Sequence, residues 1–124
     1  MTYSGNLESL NSIEANQNYF FEKIDICNGD SIGNILTKYQ PEALIHLAAE
    51  SHVDRSIDGP VDFIKTNIIG TFTLLEQARN YWISLEKDKK TKFRFLHVST
   101  DEVFGDLGQT NGFFNENSHY DPSS

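Results

Sequence analysis

Apolar residues are laid out in two rhythms along the chain. Tyr19-Phe20-Phe21-Glu22-Lys23-Ile24 is a short aromatic and branched run that predicts a strand, closing at Asp25-Ile26-Cys27. Asn28-Gly29-Asp30-Ser31 then supplies turn and N-cap chemistry, and Ile32, Ile35, Leu36 and Tyr39 fall at helical spacing. Pro41 predicts the end of that helix, because the residue before a proline is pushed out of helical geometry. Residues 43–49 are apolar without alternation, the pattern of a parallel strand covered on both faces. Residues 50–56 read as a polar loop. Asp58-Gly59-Pro60 opens a helix in which Val61, Ile64, Ile68, Phe72, Leu75, Ala78, Trp82 and Leu85 recur every three or four residues. That spacing predicts one amphipathic helix of about seven turns. Gly70 inside it implies close packing against a neighbour. Residues 86–92 read as a charged surface link, 93–98 as a further buried strand, and the Gly-, Asn- and Ser-rich remainder as a loop. At the other end, residues 1–18 are polar, with one or two helical turns packed through Leu7, Leu10 and Ile13.

Strand, helix, strand, helix, strand is the order of a parallel sheet with right-handed crossovers. The expected class is α/β, part of a Rossmann-like doubly wound sheet, with residues 1–124 forming part of a single domain. Three strands make a small sheet for that architecture, so the chain reads as an internal piece of a longer protein.

Composition narrows the partners. Eighteen acidic residues against ten Lys and Arg give a net charge of −8, which argues against nucleic acid and anionic membranes. It leaves room for a phosphorylated ligand held by backbone amides. The single Cys27 allows no intramolecular disulfide and fits a reducing compartment. No run is long and apolar enough for a membrane span, and the N-terminus lacks signal-peptide character, so a cytoplasmic setting is expected.

The richest chemistry follows the last predicted strand, at Ser99-Thr100-Asp101-Glu102-Val103. In an open parallel sheet, ligands bind outside the carboxyl ends of the strands, where a hydroxyl and two carboxylates can move protons. Such residues are also ordinary turn and cap formers. His46 and His97 sit within apolar strands with no third ligand at metal spacing; they read as hydrogen-bonded structural residues, and no metal is expected. His52, Asp54 and Arg55 form a polar loop cluster read as an ion pair shaping the crevice.

Three segments together break the tie. His46-Leu47-Ala48-Ala49-Glu50-Ser51-His52-Val53-Asp54-Arg55-Ser56, then Thr66-Asn67 with Gly70-Thr71, then Ser99-Thr100-Asp101-Glu102-Val103 resemble the extended short-chain dehydrogenase/reductase family. Within it they are most similar to the nucleotide-sugar dehydratases, and the likeness covers nearly the whole chain. The resemblance implies NAD as cofactor and dehydration of dTDP-glucose to dTDP-4-keto-6-deoxyglucose, by a homodimer in its full-length form. It implies that Asp25 and Ile26 line the adenine pocket. Thr2 would lie by the adenosine ribose. Leu47, Ala48, Ala49 and Glu50 would run beside the nicotinamide, and Thr66 would reach the cofactor from the long helix. Ser51 would touch the nucleotide sugar, and Thr100 would bond its C4 oxygen. Asp101 would be the acid and Glu102 the base of the elimination. Proximity and a low dielectric would separate the two carboxyl groups into a neutral acid and a charged base.

The chain also departs from the family pattern. It has no G-x-G-x-x-G turn, lacks the ribose-binding acid that would precede Met1, and stops before the family's Tyr-x-x-x-Lys segment. Phe104 stands where the family usually has Tyr. The expected consequence is that this chain alone is inactive. The alternatives are a sugar-nucleotide epimerase or decarboxylase of the same family, or a truncated, non-catalytic domain that binds a nucleotide or a partner chain.

Overall fold

The structure is a computed structural model that describes residues 5–108 and 112–122; Thr2 lies outside them. A 3-10 turn at Leu7–Leu10 is followed by α1 (Gly29–Tyr39), β1 (Ala43–His46), α2 (Val53–Asp58) and α3 (Pro60–Phe63). A π-helical stretch (Ile64–Gly70) runs on into α4 (Thr71–Ser84); then come α5 (Lys87–Lys92), β2 (Arg94–His97) and a 3-10 turn at Asp101–Phe104. The two strands pair in parallel, from Ala43 opposite Arg94 to His46 opposite His97.

α1 begins where the sequence says it should. The Asn28 side chain accepts from the Ser31 amide at 3.0 Å, satisfying one orphan donor of the first turn. The helix closes at Gln40, whose φ of 45° is left-handed, just ahead of Pro41. Its Ile32 and Leu36, one turn apart, are buried against Leu74, with Ile26, Leu44, Tyr81 and Phe95 packed around them. The Tyr81 hydroxyl donates to the Pro41 carbonyl at 3.1 Å and ties α4 to the start of β1.

That core covers one face of the sheet only. Leu44 is half-buried and His46 is buried, whereas Ile45 and Leu96 are each more than half exposed on the other side. The sequence-based reading of a strand covered on both faces is therefore corrected: both packing helices lie on one side, and among the described residues nothing covers the other. The strand expected over Tyr19 to Ile24 is not formed: the segment has no regular secondary structure and pairs with no strand. Strand geometry needs a partner's main-chain groups, and β1 and β2 pair with each other. The segment is held instead by side chains, with Phe20 stacked on Tyr39 at 5.1 Å and Glu22 bonded to Lys38 at 2.9 Å and to Tyr39 at 2.7 Å. The early 3-10 turn is not packed as expected, since Leu7 and Ile13 stay exposed.

Helical content exceeds the expectation in two places. The loop after β1 holds α2, and the charged link before β2 is helical as α5. Lysine is a good helix former, Asp88 lies in the first turn of α5, and Lys89, Lys90 and Lys92 lie in the last, matching the helix dipole. Trp82 anchors α5 by donating to the Lys90 carbonyl at 3.1 Å. The long helix runs from Pro60 as expected, but its middle is widened into the π stretch. There the Cys27 thiol donates to the Lys65 carbonyl at 3.3 Å, and the Asn67 side chain is drawn to the backbone of Glu50. Gly70 closes this stretch under the side chain of Ile26; a Cβ there would stand 2.5 Å from Ile26 Cδ1. The close approach inferred from the sequence is thus present. Among the described residues no helix is long and apolar enough to cross a membrane.

Candidate active site

The parallel register places the segments that follow β1 and β2 at the same end of the sheet. The ladder continues one step beyond the strands, where the Val98 amide donates to the His46 carbonyl at 3.0 Å. His46 is buried, stacked on His97 at 4.7 Å between ring centroids, and shares a 2.9 Å hydrogen bond between Nε2 and Thr71 Oγ1. Burial, then the neighbouring His97, push its pKa below the ordinary histidine value. This is the hydrogen-bonded structural role expected of it.

A cleft of about 700 Å³ opens between the turn at Asp25, the segment after β1 and the long helix. It gathers six of the sequence-predicted cofactor residues: Asp25, Ile26, Ala48, Ala49, Glu50 and Thr66. Ala48 and Ala49 give it a low wall on which a flat ring can lie close to the backbone. Asn67 fixes that wall. Its Oδ1 accepts from the Glu50 amide and its Nδ2 donates to the Glu50 carbonyl, both at 2.8 Å. These bonds satisfy both main-chain groups of a residue that has left the strand ladder.

Asp25 plays two parts. Oδ1 accepts from the Cys27 amide at 2.9 Å and shapes the turn, the ordinary work of an aspartate at that position. Oδ2 stands 3.7 Å from the ammonium of Lys65, another residue of the cleft lining. The Cys27 amide, and to a smaller degree Lys65, hold the Asp25 carboxyl below its usual range, so it is an acceptor at neutral pH. Burial pushes the Cys27 thiol up, which keeps it protonated.

The structure separates other predicted residues from this cleft. Leu47 lines an adjoining apolar groove with Ile26 and Ala48, and its side chain is largely exposed. Ser51 is exposed and does not line the cleft. Thr100, Asp101 and Glu102 leave from the same sheet end but form no part of the cleft wall. Thr100 caps the 3-10 turn, its Oγ1 accepting from the Glu102 amide at 3.3 Å. Its contact with Asp101 Oδ1, at 3.5 Å, is too long for a strong hydroxyl bond and leaves the hydroxyl proton available. Asp101 and Glu102 are both exposed, so the expected low-dielectric setting is not supplied by the described residues.

Behind that turn Phe104 stacks on Phe114 and Tyr120 at 5.1 and 5.4 Å, and the Asp121 amide donates to the Val103 carbonyl at 3.1 Å. A ring without a hydroxyl suits this apolar stack. Gly105, at φ 83°, is pressed against the Asp121 carbonyl, where a side chain would collide.

Three further cleft residues, Lys23, Asp62 and Lys65, carry charges that the sequence reading did not assign to a site. Two had a legible signal. Asp62 precedes Thr66 by one turn and shares its helix face, and Lys23 precedes Asp25 by the two-residue period of extended chain. Arg55, expected to shape the crevice, does line it.

The chain is similar in sequence and fold to dTDP-glucose 4,6-dehydratases. The chain is 58% identical over 124 residues to a dTDP-glucose 4,6-dehydratase of Haemophilus influenzae, covering all of this chain and 37% of that protein. The dTDP-glucose 4,6-dehydratase of Bacillus anthracis, solved in complex with NAD, superposes with a TM-score of 0.79 at 35% identity, over 100% of this chain and 34% of that one. The corresponding enzyme of Streptomyces venezuelae, also solved with NAD bound, gives 0.81 at 37% identity, over 98% and 34%. The chain thus spans about a third of the length of the relatives it matches. The family described as GDP-mannose 4,6 dehydratase matches every residue from 1 to 124, and the chain belongs to that family.

Proposed function

We propose that this chain supplies the adenosine-facing cleft and the acid–base turn of an NAD-dependent nucleotide-sugar dehydratase. Its reaction is conversion of dTDP-glucose to dTDP-4-keto-6-deoxyglucose, by a cytoplasmic homodimer in its full-length form. The observation that carries the reading is 58% identity, across the whole chain, to a protein of that activity.

The cleft residues fit the cofactor in their chemistry. Asp25, in the cleft lining, has Oδ2 available as an acceptor for an exocyclic amine, and Ile26 offers apolar contact to the ring. Ala48 and Ala49 leave room beside the backbone, and the Thr66 side chain lines the helix wall. The pyrophosphate has no Gly-rich cradle in this sequence. NAD, when bound, supplies reversible hydride acceptance.

The chain's own residues handle the protons. The Thr100 hydroxyl, which makes only a long 3.5 Å contact to Asp101 Oδ1, bonds the sugar's C4 oxygen. Glu102 takes the C5 proton once C4 is a ketone and C5 is acidified. Asp101 gives its proton to the C6 hydroxyl, which departs as water. Both carboxylates are exposed here, so substrate must exclude water from them before they can act as an unequal pair.

Incubation of the full-length protein with dTDP-glucose tests the reading. The expected product has lost one water and carries a 4-keto-6-deoxy sugar. Recovery of an isomer of unchanged mass, inverted at C4, would establish the epimerase alternative instead.

A further inference from the structure

We infer that Lys65 is a base-reading residue, which with Asp25 presents a matched donor and acceptor to the edge of an adenine ring. The inference rests on the proposed placement of adenosine in this cleft and adds a specificity residue to it.

Two observations carry it. Both side chains line the cleft, and Asp25 Oδ2 and Lys65 Nζ stand 3.7 Å apart. That distance is well beyond a charge-assisted hydrogen bond, so each group keeps hydrogen-bonding capacity for a third partner. Oδ1 accepts from the Cys27 amide, which orients the carboxylate and leaves Oδ2 open as an acceptor. One edge of adenine carries a donor, the 6-amino group, next to an acceptor, N7. An acceptor beside a donor is its complement: Asp25 Oδ2 takes the amine hydrogen and Lys65 Nζ donates to N7. Guanine shows two adjacent acceptors on that edge, O6 and N7. Lys65 alone would welcome it, but the Asp25 carboxylate would face O6 and repel it. The pair therefore selects adenine, and neither residue does so alone.

A neutral probe separates base reading from simple charge attraction. The 124-residue chain is titrated by NMR with adenosine and with 7-deazaadenosine, which lacks only the N7 acceptor. The wild-type chain is expected to bind adenosine about 5- to 100-fold more tightly than 7-deazaadenosine, the usual worth of a well-placed base contact. Lys65→Met should erase that difference by weakening adenosine alone, and Lys65→Arg should retain it. Equal binding of the two nucleosides by the wild-type chain would overturn the inference while leaving adenosine in the cleft. A Lys65→Met loss of equal size for both nucleosides would also overturn it, since N7 would then not be the group read. If adenosine shifts no resonance of Asp25, Ala48 or Thr66, the placement of adenosine fails, and the inference fails with it.

Discussion

Asn67→Ala tests how the cleft wall is held. The Asn67 amide forms two 2.8 Å bonds to the main chain of Glu50, in a partly buried setting. A neutral intramolecular hydrogen bond contributes a net of about 0.5–1.5 kcal/mol, so loss of both destabilises the chain by roughly 1–3 kcal/mol. Water admitted by the smaller side chain places the result toward the lower half of that range. With a urea slope of about 1.5 kcal/mol/M, a loss of about 1.5 kcal/mol moves the midpoint down by about 1 M. The lone Trp82 and far-UV circular dichroism report the transition. Hydrogen exchange supplies the local readout, because the Glu50 amide should lose protection more than the β1–β2 ladder does. Asn67→Asp keeps the acceptor but sets a carboxylate against the Glu50 carbonyl, and should cost at least as much as alanine. A midpoint shift below about 0.2 M, with Glu50 protection unchanged, would refute the claim that Asn67 holds the wall.

Further outcomes follow from the same geometry. His46 is depressed below its ordinary value of 6.5 by burial and by His97, so the unfolded chain binds its proton first as pH falls. Stability should therefore hold above about pH 6.5 and decline below it, until pH passes the lowered folded value. His46→Phe should flatten that slope in urea melts between pH 7.5 and 5.5, well above the range in which Asp25 and Glu22 titrate. Gly70→Ala gains about 1 kcal/mol in helix propensity but forces a methyl group into Ile26, an overpacking cost of about 1–3 kcal/mol. A lowered melting temperature is the expected result, recovered only in part by adding Ile26→Val, which removes Cδ1 but keeps a Cγ 2.7 Å from the new methyl group. The 124-residue chain by itself should give no 4-keto-6-deoxy product from dTDP-glucose and NAD, because it has no Gly-rich phosphate turn; mass spectrometry of the mixture decides this.

Much of this molecule is legible in its sequence. Asn28 as cap, Pro41 as stop, the helical spacing through α1 and α4, and Gly70 as a contact point are local rules acting on local residues. The failures share one physical origin. A strand over Tyr19 to Ile24 was inferred from its own side chains, but a ladder belongs to two segments, and aromatic content cannot name the second. Coverage of both sheet faces was inferred from an apolar strand, whereas it depends on where the helices pack. The π stretch was invisible for the same reason: it coincides with contacts from Cys27 and Glu50, distant in sequence. At the site, motif resemblance pointed to Asp25, Ile26, Ala48, Ala49, Glu50 and Thr66, which share the cleft. It passed over Lys65, which carries no motif and acquires meaning from its 3.7 Å approach to Asp25.

The central claim is that Asp101 and Glu102 move the two protons of a dehydration. It is tested most directly by rapid-quench analysis of Glu102→Gln and Asp101→Asn in the full-length enzyme, run in deuterated water with dTDP-glucose. Both variants should still oxidise C4, and each should lose about a hundredfold or more in turnover, the usual worth of a positioned acid or base. Glu102→Gln should fail to exchange the C5 hydrogen for deuterium. Asp101→Asn should retain more of that exchange while failing to expel the C6 hydroxyl. Near wild-type turnover in both variants, with reduced stability as the only change, would show that the pair shapes a turn and that the proton chemistry lies elsewhere.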